Sequence, residues 1–134
     1  MAEYKLALAY TRNPVEAARA HNNLGVALSQ LNQPGAAISE FGAAIQINPN
    51  EYNSFLGRGL IEYQSGHIEA ARVDFFRSAQ IVMSPMALYW LGRSFEDEGN
   101  LKDATGAYEA ALKMAPTMEE AKIHLDAVHL KAQK

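Results

Sequence analysis

The chain has 134 residues and a formal net charge of −3, and this acidic balance, with no basic stripe, excludes a nucleic-acid binder that works through the phosphate backbone. With 49% hydrophobic and 20% charged residues it holds the apolar material of one packed domain and is not compositionally disordered. Cysteine is absent, which removes disulfides, thiolate metal sites and cysteine nucleophiles together.

At the start, Glu3 and Lys5 interrupt the apolar run that a secretion signal needs, so residues 3–13 read as one short helix and the default compartment is the cytoplasm. Residues 20–39 carry no Lys, Arg, Asp or Glu. They nevertheless hold Asn22, Asn23, Gln30, Asn32, Gln33 and Pro34, too many polar groups for lipid. That stretch predicts a buried helix pair, and no membrane insertion is expected. Further along, Asn13-Pro14 with Glu16, Ser84-Pro85, and Thr117 with Glu120 resemble capped helix starts, while Gly66 and Gly99 suit helix ends. The punctuation predicts alternating first helices at roughly 14–31, 51–65 and 85–98 and second helices at roughly 34–47, 67–82 and 101–114. The remaining residues, 119–134, predict a last helix.

The chain aligns with itself. Residues 22–49 fall on residues 89–116 without a gap, so that Leu24-Gly25 meets Leu91-Gly92, Leu28 meets Phe95, Ala37 meets Ala104, Phe41 meets Tyr108, Ala44 meets Ala111 and Pro49 meets Pro116. The offset of 67 residues suits two helical hairpins rather than one. Between them lies a third copy, in which Gly59, Ala71, Phe75 and Ser78 take the same places and Met83 stands where the closing Pro would be. A glycine in mid-helix costs about 1 kcal/mol relative to alanine, which is tolerable where a neighbouring helix must approach closely. Ala37, Ala71 and Ala104 are the matching small residues, and Phe41, Phe75 and Tyr108 fill the space that opens beyond them.

Leu-Gly, a large residue three further on, Ala, an aromatic, Ala and Pro, complete in the first and third of three registered copies, resemble the tetratricopeptide repeat. The middle copy resembles that family's Arg-Gly variant through Arg58-Gly59. The resemblance implies an all-α fold of about eight helices, a right-handed α-solenoid of antiparallel hairpins. Its repeats would span residues 18–51, 52–84 and 85–118, after an orphan helix at 3–13 and before a capping helix at 119–134. In the cap, Leu125 takes the Leu slot and Asp126 the Gly slot, a polar end suited to water. Beginning on half a repeat fits either excision from a longer array or an orphan face, with Tyr4, Leu8 and Tyr10, that meets another subunit.

In such a family the first helices line a concave groove. At about 100° per residue, Leu24, Gly25 and Leu28 share one arc, and Arg19, Asn22, Asn23, Val26, Ser29 and Gln30 share the opposite one. The equivalent sets are Asn53, Leu56, Gly57, Leu60, Tyr63 and Gln64, then Met86, Tyr89, Trp90, Arg93, Glu96 and Asp97. Asn22, Asn23, Val26, Leu56, Leu60, Tyr63, Gln64, Tyr89, Trp90 and Arg93 are the candidate partner-binding residues. The aromatics would give contact area, and Asn22, Asn23 and Gln64 would bond a peptide backbone. By this criterion Trp90 is read as recognition surface ahead of core, and Leu60 fits either equally. The family's chaperone-tail binders hold a carboxylate with Lys, Arg and Asn. The corresponding positions here are Asn22, Val26, Gly57, Met86 and Trp90, so no such clamp is expected.

No catalytic constellation is visible. His21, His67, His124 and His129 belong to no metal-ligand spacing, and Ser65, Ser78 and Ser84 have no placed base. Gly57-Arg58-Gly59 lacks the spacing of a phosphate loop. Neither enzyme activity nor a cofactor or metal is expected. The expected function is a protein-interaction scaffold for a peptide or partner helix. The alternatives are the non-catalytic recruiting arm of a larger enzyme or secretion assembly, and a homo-oligomerisation module working through its terminal helices.

Overall fold

The computed structural model describes residues 13–134, in which the chain is helical throughout, without strands. The helices are α1 (Pro14–Gln30), α2 (Pro34–Ile47), α3 (Tyr52–Gln64), α4 (Ile68–Ile81), α5 (Pro85–Asp97), α6 (Leu101–Met114) and α7 (Glu119–Ala132). The alternating first and second helices expected from the punctuation are all present. The orphan helix expected at 3–13 lies outside the described residues except for Asn13, and so do Tyr4, Leu8 and Tyr10. Asn13 caps α1, its Oδ1 accepting the amide of Val15 at 2.9 Å.

All three first helices end in one way. The amide two residues past the cap reaches back to the third carbonyl from the helix end: Gln33 to Leu28 at 2.9 Å, His67 to Glu62 at 2.8 Å and Asn100 to Phe95 at 2.9 Å. The pivot must take positive φ, and here it is Asn32 (57°), Gly66 (86°) and Gly99 (80°). Asn32 is the one pivot that glycine punctuation alone does not reveal; asparagine is among the few other residues that tolerate this region. The turn returns each second helix antiparallel to its first. Two starts differ from expectation or confirm it: Ser84 Oγ accepts the Ala87 amide at 3.2 Å, whereas α7 begins after Met118, with no side-chain cap, and Thr117 is not used.

The core follows the repeat. Ala37, Ala71 and Ala104 are wholly buried, as are Ala44, Ser78 and Ala111. Each second-helix aromatic lies against its own repeat's glycine: a Cβ added to Gly25 would stand 2.8 Å from the Phe41 ring, one on Gly59 2.7 Å from Phe75, and one on Gly92 2.6 Å from Tyr108. The other side of each ring meets the next first helix, always two residues before its glycine slot. Phe41 meets Gly57, where a Cβ would come within 2.6 Å. Phe75 stacks on Trp90 with centroids 6.1 Å apart, and Tyr108 lies 5.8 Å from His124. One aromatic per repeat thus belongs to two repeats.

Candidate partner-binding surface

The face expected to line the groove is built by α1, α3 and α5. Its ten candidate residues fall into three depths. Asn23, Val26 and Gln64 are exposed, whereas Leu56, Leu60, Tyr63, Trp90 and Arg93 are half-buried. Asn22 and Tyr89 are buried, at 9% and 6% exposure. The structure brings Leu56, Leu60, Tyr63 and Trp90 together over the Phe75 and Leu91 core.

The two buried residues sit deeper than their helix arc implies because each is tied to a neighbour. Asn22 Oδ1 accepts the Ser54 hydroxyl at 2.9 Å, a polar bond between α1 and α3 that satisfies both groups away from water. Tyr89 packs against His124 of α7, and its hydroxyl accepts from Arg93 at 2.9 Å. Gly57 is not free to contact a ligand either, since it seats Phe41.

Arg93 organises the third-repeat end. Its guanidinium lies 5.5 Å from the Tyr63 ring, 5.5 Å from Trp90 and 5.8 Å from Tyr89, a cationic centre held by three aromatic faces. Tyr63 donates its hydroxyl to Asp97, bridging α3 and α5. Burial, and then that bond to a carboxylate, push the Tyr63 phenol up to about 12, so it stays a donor at any physiological pH. Trp90 packs at 5.3 Å from Tyr63 and 5.2 Å from Tyr89, and its Nε1 is buried without an acceptor. The ring is therefore a partly exposed element of the junction between repeats.

Glu96, expected on the groove, is occupied elsewhere. It accepts from Tyr108 Oη at 2.7 Å, from His124 Nδ1 at 3.0 Å and from Lys131 Nζ at 2.7 Å, tying α5, α6 and α7 together. Burial raises its carboxyl's proton affinity, but these three donors outweigh burial and hold it below the usual glutamate value. A second charged cluster, Arg58, Glu62 and Asp74, lies between α3 and α4. Its signal was in the repeat alignment: three residues beyond Gly59 stands Glu62, where the flanking copies have Leu28 and Phe95. Among the described residues, no three His, Cys, Asp or Glu side chains converge as metal ligands, and no helix is long and apolar enough to cross a membrane.

Comparison with known proteins agrees with this geometry. Family models described as tetratricopeptide repeat match residues 18–51 and 82–119, more than half of the chain. The chain belongs to the tetratricopeptide repeat family. No curated protein matches its sequence. Among solved structures, the first TPR domain of Spaghetti (RPAP3) bound to the HSP90 peptide SRMEEVD superposes with a TM-score of 0.86 at 16% identity, over 90% of this chain and 96% of that one. MamA gives 0.87 at 18% identity, over 97% and 75%. The OM64 TPR domain of Arabidopsis gives 0.82 at 20% identity, over 87% and 97%. At these identities the likeness is one of fold: an all-α solenoid of helical hairpins.

Proposed function

We infer that this chain is a protein-interaction scaffold that docks a peptide or partner helix along the face of α1, α3 and α5. The observation that carries the reading is the arrangement of Asn23, Val26 and Gln64, which are exposed, beside the half-buried Leu56, Leu60, Tyr63, Trp90 and Arg93. This is an apolar, aromatic strip with polar groups at its margin, the composition of a recognition surface. That a fold neighbour is bound to a peptide supports the class of ligand. It does not carry over that neighbour's peptide: the positions a carboxylate clamp would need hold no cation here, and Gly57 among them is filled against Phe41.

The test is selection from a displayed random-peptide library, followed by affinity measurement of the selected peptides on variants. Arg93→Ala, Leu60→Ala and Val26→Asp should each weaken binding by about tenfold or more, the loss of one well-placed contact. Phe76→Ala, on the exposed side of α4, should leave it unchanged. Peptides sensitive to Phe76→Ala and indifferent to the three groove variants would reverse the assignment.

A further inference from the structure

The middle repeat is built differently from its neighbours. Arg58 stands where repeats 1 and 3 have Leu24 and Leu91, and Glu62 stands where they have Leu28 and Phe95. Asp74 precedes Phe75 as Ala107 precedes Tyr108. Three charged side chains therefore occupy ground that the third repeat fills with apolar ones.

Their geometry is unequal. Asp74, 3% exposed, has both oxygens bound by one guanidinium: Arg58 Nε to Oδ2 at 2.8 Å and Arg58 Nη2 to Oδ1 at 2.8 Å. Arg58 is thereby committed, and Glu62 is left over. Glu62 Oε1 is buried and no donor reaches it. An ionised carboxylate in that position would keep one oxygen out of water with no donor to it, next to a second carboxylate. The groups acting on Glu62 are Asp74 of α4 and Arg58 of its own helix; α1 and α2 bring no charged group to it among the described residues. Beside it opens a cleft of about 840 Å³, whose walls add His67 and Glu69 from the start of α4 and Glu98 from the end of α5. Glu98 holds Arg72 at 2.7 Å, so that guanidinium is already paired at the cleft.

We propose that the middle repeat is a proton-latched joint: Glu62 enters it as a neutral carboxylic acid whose O–H donates to Asp74, and on losing that proton it moves into the adjoining cleft and loosens α3 from α4. The proton goes to solvent and no other bond changes. Burial first, then the hydrogen bond to Asp74 and the charge of Asp74, push the Glu62 carboxyl up to about 8, with Arg58 opposing them only in part. Because the folded-state value lies above the unfolded one, the folded chain binds the extra proton. Stability from this group is then complete below about 4.5 and is lost as pH rises through about 8. This inference stands independently of what the inner face docks.

The experiment compares the wild-type chain with Glu62→Gln, which keeps shape and donor without titrating, and with Glu62→Leu, which restores the side chain of repeat 1. Urea unfolding across the window from about pH 4.5 to about pH 8 should show the wild-type unfolding constant rising relative to both variants. The one-proton limit is about tenfold per pH unit, and several-fold is expected at this partly solvated site. The carboxyl carbon of Glu62, followed by NMR in the wild-type chain, should titrate near 8. Loss of amide protection at high pH, measured against Glu62→Gln at the same pH, should be confined to α3 and α4. A Glu62→Gln variant with the same pH slope as wild type, or a Glu62 carbon that titrates near 4.5, overturns the proposal, and the second readout decides even if a variant does not fold.

Discussion

Replacing Gly57 with alanine isolates the close approach between repeats 1 and 2. Gly57 lies inside α3 and Gly106 inside α6, and alanine in either helix interior gains about 0.5–1 kcal/mol from backbone entropy and propensity. At Gly106 a Cβ meets nothing within 4 Å, so Gly106→Ala should be stabilising by that amount. At Gly57 the same atom would lie 2.6, 2.8 and 3.1 Å from three carbons of Phe41, against about 3.5–4 Å for an ordinary carbon contact. The ring cannot retreat freely, because it is 1% exposed and Gly25 stands at similar range behind it. Overpacking of this kind costs about 1–3 kcal/mol. The propensity gain is common to both variants, so their difference in unfolding free energy should equal the overpacking cost, about 1–3 kcal/mol in favour of Gly106→Ala. Urea denaturation followed by far-UV circular dichroism measures it. Equal stabilisation by both substitutions would show that Phe41 does not seat on Gly57 and would refute the packing described for the repeat junction.

Other outcomes follow from the same contacts. Glu96→Gln should raise amide exchange in α7 while leaving α1 and α2 unchanged, because it weakens the bonds to Lys131 and His124. Glu96 is held below its ordinary value, so its contribution is present above about 4.5 and lost as pH falls through the lowered value. An acid titration of wild type against Glu96→Gln should show the wild type losing more stability in that range. Tyr108→Phe removes a buried donor to the same carboxylate and should cost about 1–3 kcal/mol in chemical denaturation. Asn22→Ala and Ser54→Ala should be non-additive in a double-mutant cycle by about 0.5–1.5 kcal/mol, since each variant removes the same 2.9 Å bond.

The fold was legible because it rests on volume. Glycine, alanine and aromatic residues recur at fixed spacing, and each repeat's glycine meets its own ring. Depth within the groove face was less legible. A helical arc tells which way Asn22, Gly57 and Tyr89 point, but not that Ser54, Phe41 and His124 stand in front of them. Those partners come from other helices, and only their crossing decides which of two adjacent arc positions is covered. The charged triad of the middle repeat was visible in the alignment: Arg58 and Glu62 depart from slots that are apolar in both other copies, and Asp74 departs from Ala107 of the third, the first having Glu40 there. That Arg58 satisfies Asp74 twice and Glu62 not at all is a matter of side-chain reach, which register does not contain.

The residue that faces each shared ring from the following helix is glycine, then tryptophan, then histidine. These act as shims of different thickness. Bare backbone faces Phe41 at the first junction, whereas at the second Phe75 rests on the Trp90 indole and at the third Tyr108 lies near the His124 imidazole. The joints between repeats are accordingly filled by unlike side chains, although each hairpin repeats the same internal packing.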